Sequence, residues 1–165
     1  YKRINAPVTA SGATWAPNTI TYSGNNRTHM IRVPGPGRFE LRLMDGATNP
    51  YLLQAGILAA GIDGIERKRD PGKPINVNMY EDGHKVKGAK KLPLTLEKAL
   101  SHLDKSKVLK DAFSKETINS YIKLKNKEIK KYQSSNTKKI GFKGSKQSNK
   151  KNIITQWEKD NTLDC

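Results

Sequence analysis

A six-residue segment from Arg38 to Leu43 alternates strictly between charged and apolar side chains. Successive side chains of a β-strand point to opposite faces, so Arg38, Glu40 and Arg42 share one face of the predicted strand. A carboxylate between two guanidinium groups stays ionised, because nearby positive charge lowers its pKa. Such a carboxylate can bind a hard divalent cation while the arginines bind phosphate or carboxylate oxygens. On this strand alone, a solvated face with surface ion pairs is the simpler interpretation.

The arginines are confined to the first part of the chain, and every cation after position 69 is a lysine. A guanidinium is a rigid planar donor for phosphate and carboxylate, whereas a lysine ammonium is a hydrated point charge on a flexible stem. Fixed contacts to anions are therefore expected before position 69. Arg27 and Arg32 are five residues apart, so a single strand would place them on opposite faces unless a turn redirects Arg27.

Several classes of site are not supported by the sequence. His29, His84 and His102 lie far apart without metal-ligand spacing, and Cys165 is the single cysteine of the 165 residues. A disulfide framework is thereby excluded, and a reducing, cytoplasmic location is expected. No Walker or dinucleotide-binding glycine loop is present. No apolar run approaches the roughly 20 residues of a membrane span.

The elements that must position the charged residues follow from turn, cap and periodicity signals. Short strands are predicted over residues 19–22, 28–33 and 38–43. Asn49-Pro50 is typical of a helix start, and the nearly all-apolar run 51–65 predicts a helix buried on most sides. Amphipathic helices are predicted over residues 95–103, 105–113 and 115–132, and Trp157 is expected to pack back on the body. The expected fold is α+β, an antiparallel sheet portion followed by helices.

Residues 133–152 hold six lysines and no acidic side chain among mostly small polar residues. Such a segment buries too little apolar surface to offset its ordering entropy, and a disordered loop is predicted. A nucleic-acid-binding tail is the alternative, since the chain carries a formal charge of +16 and lysines attract phosphate. The lysines are scattered and lack interleaved aromatic side chains, which favours the loop.

Residues 25–51 read NNRTHMIRVPGPGRFELRLMDGATNPY. This segment resembles the C-terminal catalytic region of glutamine synthetases, which shows NR[ST]…IR[IV]P, then R-[IF]-E-x-R, then D…NPY in the same order. Tyr1-Lys2-Arg3 is similar to the end of the family's NSYKR motif. The longer pattern most resembles the GlnT-like (type III) branch. The resemblance covers residues 1–132 and 153–165, so residues 133–152 are interpreted as an insertion and 153–165 as a C-terminal helix and tail.

The resemblance implies a role for each matching residue. Glu40 matches a metal-binding glutamate, and Arg42 matches the arginine that contacts the glutamate substrate and its activated phosphate. Arg3 matches an arginine that holds the substrate carboxylate. Arg27 and Arg32 match arginines at the ATP phosphates. Transfer of a γ-phosphoryl group needs positioned cations more than covalent chemistry, which agrees with this residue set.

Two departures from the family pattern concern the flap and a loop. Trp15 stands where better-known members carry a glutamate that closes the site and helps to deprotonate ammonium. The Pro-Gly turn before Arg38 is shorter than in those members and lacks an expected lysine. Members of the family are also far longer, with their other metal-binding glutamates upstream of the NSYKR motif. The chain is therefore expected to be a C-terminal fragment that is inactive alone.

The leading hypothesis is thus an ATP-dependent ligase that forms glutamine from glutamate and ammonia through a γ-glutamyl phosphate, with Mg²⁺ or Mn²⁺ as metal. Methylamine or another small amine is the alternative acceptor, and a basic nucleic-acid-binding module is the alternative from a different class. The resemblance also implies a homo-oligomeric ring for the full-length enzyme. Neither a membrane nor a nucleic acid is the expected partner.

Overall fold

The computed structural model describes residues 17–44, 46, 48–135, 157, 160 and 161. The chain divides into two compact units, here called unit 1 (residues 1–46 and 71–94) and unit 2 (residues 47–70 and 95–165). Within the described residues, unit 1 has three short strands and unit 2 has four α-helices. The expected α+β class is therefore confirmed.

The strands of unit 1 are β1 (Tyr22–Ser23), β2 (Ile31–Gly35) and β3 (Arg38–Leu41), in the spatial order β1-β2-β3. β2 and β3 form an antiparallel hairpin, as expected, and Gly37 in its turn has a φ of 75°, which glycine adopts without steric cost. The sheet is nevertheless mixed, because β1 runs parallel to β2. The seven residues 24–30 between them turn back on themselves, so that the chain re-enters the sheet in the same direction.

The interior of unit 1 is polar. The buried side chains include Thr19, Thr21, Ser23, Thr28 and His29, together with the apolar Met79 and Leu92. The alternation over residues 38–43 predicts that the apolar face of this strand, which includes Phe39, lies in the core, but Phe39 is 63% exposed, so that prediction was wrong for this residue. The reason is that hydrogen-bonded threonines and a histidine, rather than the apolar face of β3, form the interior of this unit.

Unit 2 contains α1 (Pro50–Glu66), α2 (Leu96–Lys105), α3 (Lys107–Phe113) and α4 (Lys115–Ser134). The Asn49 side chain caps α1 by accepting from the amides of Tyr51 and Leu52, as its position before Pro50 predicts. Thr95, Ser106 and Ser114 cap the other three helices in the same way. Helix α1 contacts α3, and α2 contacts α4.

The apolar helix α1 is largely exposed. Tyr51 is 81% and Ile65 is 79% exposed, and no residue of the helix is buried. The prediction of a helix buried on most sides was therefore wrong for this chain. A helix that is apolar all round presents more surface than one short neighbour such as α3 can cover.

Two further expectations concern the end of the chain and the membrane. Trp157 makes an edge-to-face contact with Tyr132 at the end of α4, with 5.5 Å between the ring centroids. The prediction that Trp157 packs back on the body is thus confirmed. In the described part of the chain, no helix is long and apolar enough to cross a bilayer.

Candidate functional site

The β2–β3 hairpin pairs Arg32 with Glu40 across the two strands. The Nη1 group of Arg32 donates to Oε1 of Glu40 at 2.6 Å. Two further donations, from Nε at 2.8 Å and from Nη2, go to the side-chain oxygen of Asn25. Arg32 is thus fixed between a strand neighbour and the loop that precedes its own strand.

Arg42 follows β3 by one residue and lies beside the same carboxylate. Its Nη1 is 3.5 Å from Oε2 of Glu40, and its Nε donates to the main-chain oxygen of Arg27 at 3.2 Å. Its amide donates to the Met30 carbonyl at 2.8 Å, which continues the hairpin pairing beyond β3. The alternation of the sequence therefore placed Glu40 and Arg42 together correctly. We call Arg32, Glu40 and Arg42 the hairpin cluster.

The second guanidinium at Glu40 comes from Arg32 rather than from Arg38, which the alternation alone had suggested. Arg38 pairs with Gly35 at the hairpin turn and is exposed. A register irregularity between Arg32 and Gly35 separates this end of the hairpin from the Arg32–Glu40 pair. Arg32, the partner of Glu40 on the opposite strand, therefore takes the place that was expected for Arg38 on the same strand.

The charges of the hairpin cluster favour an ionised carboxylate. The hydrogen bond from Arg32 lowers the pKa of Glu40 most, and the charges of Arg32 and Arg42 lower it further. Partial desolvation acts in the opposite direction and does not reverse the shift. An ionised carboxylate with two guanidiniums can exchange its partners for a cation on one side and an anion on the other.

Arg27 lies in the turn before β2, because that strand begins at Ile31 rather than at Thr28. The argument from opposite strand faces therefore does not apply to it. Together with Asn25, Asn26 and Asn76, it lines a cavity of about 530 Å³ in unit 1. Its backbone oxygen also contacts Arg42, so the cavity wall and the hairpin cluster share this residue.

Three residues near the site were missed or left without a site role by the sequence analysis. Tyr80 is half-buried, and burial raises its pKa to about 12 while the charge of Arg42 acts in the opposite direction. Its phenol is therefore protonated at neutral pH. The side-chain oxygen of Asn25 accepts a hydrogen bond from Arg32. His29, which follows in the same loop between β1 and β2, is fully buried. Of these, only Asn25 had a local signal, as part of an Asn-Asn turn beside Arg27.

His29 makes two hydrogen bonds in the interior of unit 1. Its Nε2 lies 3.0 Å from the Val77 carbonyl oxygen, and its Nδ1 lies 2.9 Å from the Thr21 hydroxyl. Burial lowers the pKa of His29, and the hydrogen bond to Val77 only partly offsets this. His29 is thus a buried structural histidine with a hydrogen bond at each ring nitrogen.

The described residues contain no group of three or more acidic, histidine or cysteine side chains that could hold a metal ion. Each Glu40 oxygen accepts from one guanidinium and keeps a second lone pair, and the Glu40 side chain is 41% exposed, so a cation can approach it. Glu40 therefore fits as one ligand of a metal whose other ligands lie elsewhere. Arg3 and Trp15 lie outside the described residues.

The hairpin places an ionised glutamate beside two arginines on an α+β scaffold, and such an arrangement has the chemistry to bind a phosphate or a metal ion. Residues 1–141 match the family model described as glutamine synthetase, catalytic domain. The chain belongs to the glutamine synthetase family, and the expected family is thus confirmed.

Similar proteins include enzymes named for two different activities. A glutamine synthetase of Rhizobium leguminosarum bv. phaseoli is 54% identical over 164 residues, which is 99% of this chain and 34% of that protein. A glutamate–methylamine ligase of Methyloversatilis universalis is 44% identical over 135 residues, covering 80% of this chain and 30% of that protein. A solved GmaS/ADP complex superposes with a TM-score of 0.75 at 48% identity, over 100% of this chain and 34% of that one. The chain thus spans about a third of the length of these relatives.

Proposed function

We propose that this chain is part of an ATP-dependent ligase that joins the γ-carboxylate of glutamate to ammonia or a small amine. The hairpin cluster carries this proposal, because it holds an ionised carboxylate that has two guanidinium groups at 2.6 and 3.5 Å. A phosphoryl transfer needs such positioned charges around the transferred group. Family membership supplies the reaction class to which this arrangement is suited.

In the proposed reaction a γ-carboxylate oxygen of glutamate attacks the terminal phosphorus of ATP, and ADP leaves. The nitrogen of ammonia or an amine then attacks the acyl carbon of the γ-glutamyl phosphate, loses a proton, and expels phosphate. Arg27 and Arg32 bind the ATP phosphates, and Arg42 binds the substrate glutamate and the transferred phosphoryl group. Arg3 is proposed to hold the substrate carboxylate.

Glu40 would hold one Mg²⁺ or Mn²⁺ ion, which would neutralise charge on the phosphate oxygens. The carboxylate keeps lone pairs for the cation, and an incoming phosphate offers the neighbouring guanidiniums a further partner. One carboxylate does not fix a polynuclear metal site. We therefore propose that the 165-residue chain is inactive alone and works within a longer, ring-forming enzyme.

Ammonia and methylamine are both candidate acceptors, because relatives of both kinds match this chain. The higher identity to the glutamine synthetase, 54% against 44%, favours ammonia. A nucleic-acid-binding module is less well supported, because Arg32 and Arg42 are engaged by Glu40 on an ordered hairpin.

The test is glutamate-dependent phosphate release by the protein read from the complete gene, with ammonium and methylamine offered separately. We expect release with ATP and one of the two amines and none from the 165-residue chain. Absence of phosphate release with both amines would contradict the proposed ligase activity. A native start codon directly before Tyr1, with activity of the purified chain, would refute the proposal that it is only one part.

A steep salt dependence of DNA binding that disappears on deletion of residues 133–152 would support the nucleic-acid module instead.

A further inference from the structure

The loop of residues 24–30 contacts both arginines of the hairpin cluster. The side-chain oxygen of Asn25 accepts from Arg32 at 2.8 Å, and the main-chain oxygen of Arg27 accepts from Arg42 at 3.2 Å. Each guanidinium at Glu40 therefore has a second contact in this loop. If the loop shifts, both arginines lose the contact that orients them.

The opposite side of the loop is anchored to residues 77–79. Asn26 Nδ2 donates to the Val77 carbonyl at 2.9 Å. The Thr28 hydroxyl donates to the Asn26 side-chain oxygen at 2.8 Å and accepts from the Met79 amide at 3.0 Å. Along the loop, Asn25 and Arg27 therefore contact the hairpin cluster, and the residues between and after them, Asn26 and Thr28, contact residues 77–79.

His29 completes the anchor from the buried side. It is 0% exposed, and its imidazole joins the Val77 carbonyl to the Thr21 hydroxyl beside β1. A carbonyl only accepts, so Nε2 carries a hydrogen; in the neutral ring Nδ1 then accepts from Thr21. An apolar side chain here would leave the Thr21 hydroxyl without this partner inside the unit.

We propose that His29 is a positioning residue for the hairpin cluster, because its two hydrogen bonds hold the loop that orients Arg32 and Arg42 around Glu40. The use of these arginines for phosphate rests on the function proposed above. The orientation of the guanidiniums does not rest on it, and the two can be measured separately.

The experiment compares His29→Leu, His29→Gln and Leu92→Ala in the 165-residue chain. Leu92 is 9% exposed in the same unit, so its truncation lowers stability without removing a hydrogen bond of the loop. Hydrogen exchange of the arginine Nε–H groups, followed by NMR, reports whether Arg32 and Arg42 keep their acceptors. We expect exchange at both to accelerate roughly tenfold in His29→Leu, the equivalent of one lost hydrogen bond, and to stay unchanged in Leu92→Ala.

His29→Gln is expected to recover part of the protection, because its amide can donate to the Val77 carbonyl. Unchanged exchange in His29→Leu, or equal acceleration in Leu92→Ala, would overturn the proposal. If His29→Leu does not fold, Thr21→Val removes the Nδ1 partner and takes its place in the same comparison.

ATP titration of the protein from the complete gene separates the two proposals. Weaker ATP binding by the His29→Leu protein than by the unchanged protein, with both folded, would support the link to phosphate, and equal affinity would overturn that link. If the unchanged protein binds no ATP, the proposed function fails, and the exchange rates still decide the role of His29.

Discussion

Among the described residues, two carboxylates each contact two arginines, and only one of these two groups has the surroundings of a site. The hairpin cluster is one. The other, here called the helix cluster, consists of Asp63, Arg67 and Arg69 at the end of α1, with contacts of 2.6 and 2.7 Å. Its ion pairs are at least as short as those at Glu40, which are 2.6 and 3.5 Å. Distance between charges therefore does not distinguish them.

The difference lies in what else holds the guanidiniums. The arginine side chains of the helix cluster are 58% and 56% exposed, whereas those of the hairpin cluster are 12% and 22% exposed. Asp63 and Arg67 are neighbours on a helix surface because they are four residues apart. The hairpin cluster instead depends on strand pairing and on the loop that contains Asn25. Water and salt therefore reach the guanidiniums of the first group more than those of the second, whereas the carboxylates rank the other way, with Asp63 14% and Glu40 41% exposed.

The largest effect is expected from Arg32→Gln in the protein read from the complete gene. Loss of one guanidinium from a phosphoryl-transfer site should lower kcat/KM for glutamate-dependent phosphate release by roughly 10²–10³-fold. The matched control Arg67→Gln removes the same charge from the helix cluster and should change the rate by less than about threefold. Equal losses in the two variants would show that the distinction between the clusters is wrong.

The next effect is on stability, from Thr28→Val below the hairpin cluster. The exchange keeps the shape of the side chain but leaves the buried Met79 amide and the Asn26 side chain without this partner. The free energy of unfolding should fall by about 1–3 kcal/mol, measured by urea denaturation. Thr28→Ser retains the hydroxyl and should lose less. A larger loss in Thr28→Ser would mean that the methyl group matters more than the hydrogen bonds.

Local patterns in the sequence were sufficient for elements whose residues are close along the chain. The alternation over residues 38–43 placed Glu40 beside Arg42, and Asn49-Pro50 located the start of α1. The helix predicted over 95–103 is α2, observed at Leu96–Lys105. In each case the interacting groups are within a few residues, so spacing alone determines their geometry.

The remaining features depend on contacts between distant residues. Arg32 contacts Glu40 through a strand register that includes an irregularity. The charge of Arg42 acts on the pKa of Tyr80, which lies 38 positions further along the chain. The buried His29 was not predictable from hydrophobicity, because its burial depends on a carbonyl 48 residues away. The exposure of α1 was not predicted, because an apolar composition indicates that a helix needs packing partners and does not show that those partners are present in this chain.

A smaller effect is expected when the pH is lowered. The folded-state pKa of Glu40 lies below its ordinary value of 4.5, mainly because of the hydrogen bond from Arg32. Ionised Glu40 therefore stabilises the folded chain fully above its ordinary pKa of 4.5. This contribution is lost as the pH falls through the lowered pKa of the folded state. Between about pH 7 and about pH 3, Glu40→Gln should lose stability less steeply than the unchanged chain. Parallel pH profiles would contradict the shift.

The smallest effect is expected from Asp63→Asn in the helix cluster. Arg69 and Arg67 lower the pKa of Asp63, so the carboxylate is ionised at neutral pH and its pairs contribute there. Because both guanidiniums are more than half exposed, about 1 M salt should screen these pairs, at a Debye length of roughly 3 Å. The stability difference between Asp63→Asn and the unchanged chain should then disappear. A larger part of the difference for Glu40→Gln should persist in the same salt, because the Arg32 and Arg42 side chains are only 12% and 22% exposed, although Glu40 itself is 41% exposed. If salt removes both differences, the two clusters are equivalent surface ion pairs, and the hairpin loses the property on which its assignment as a site depends.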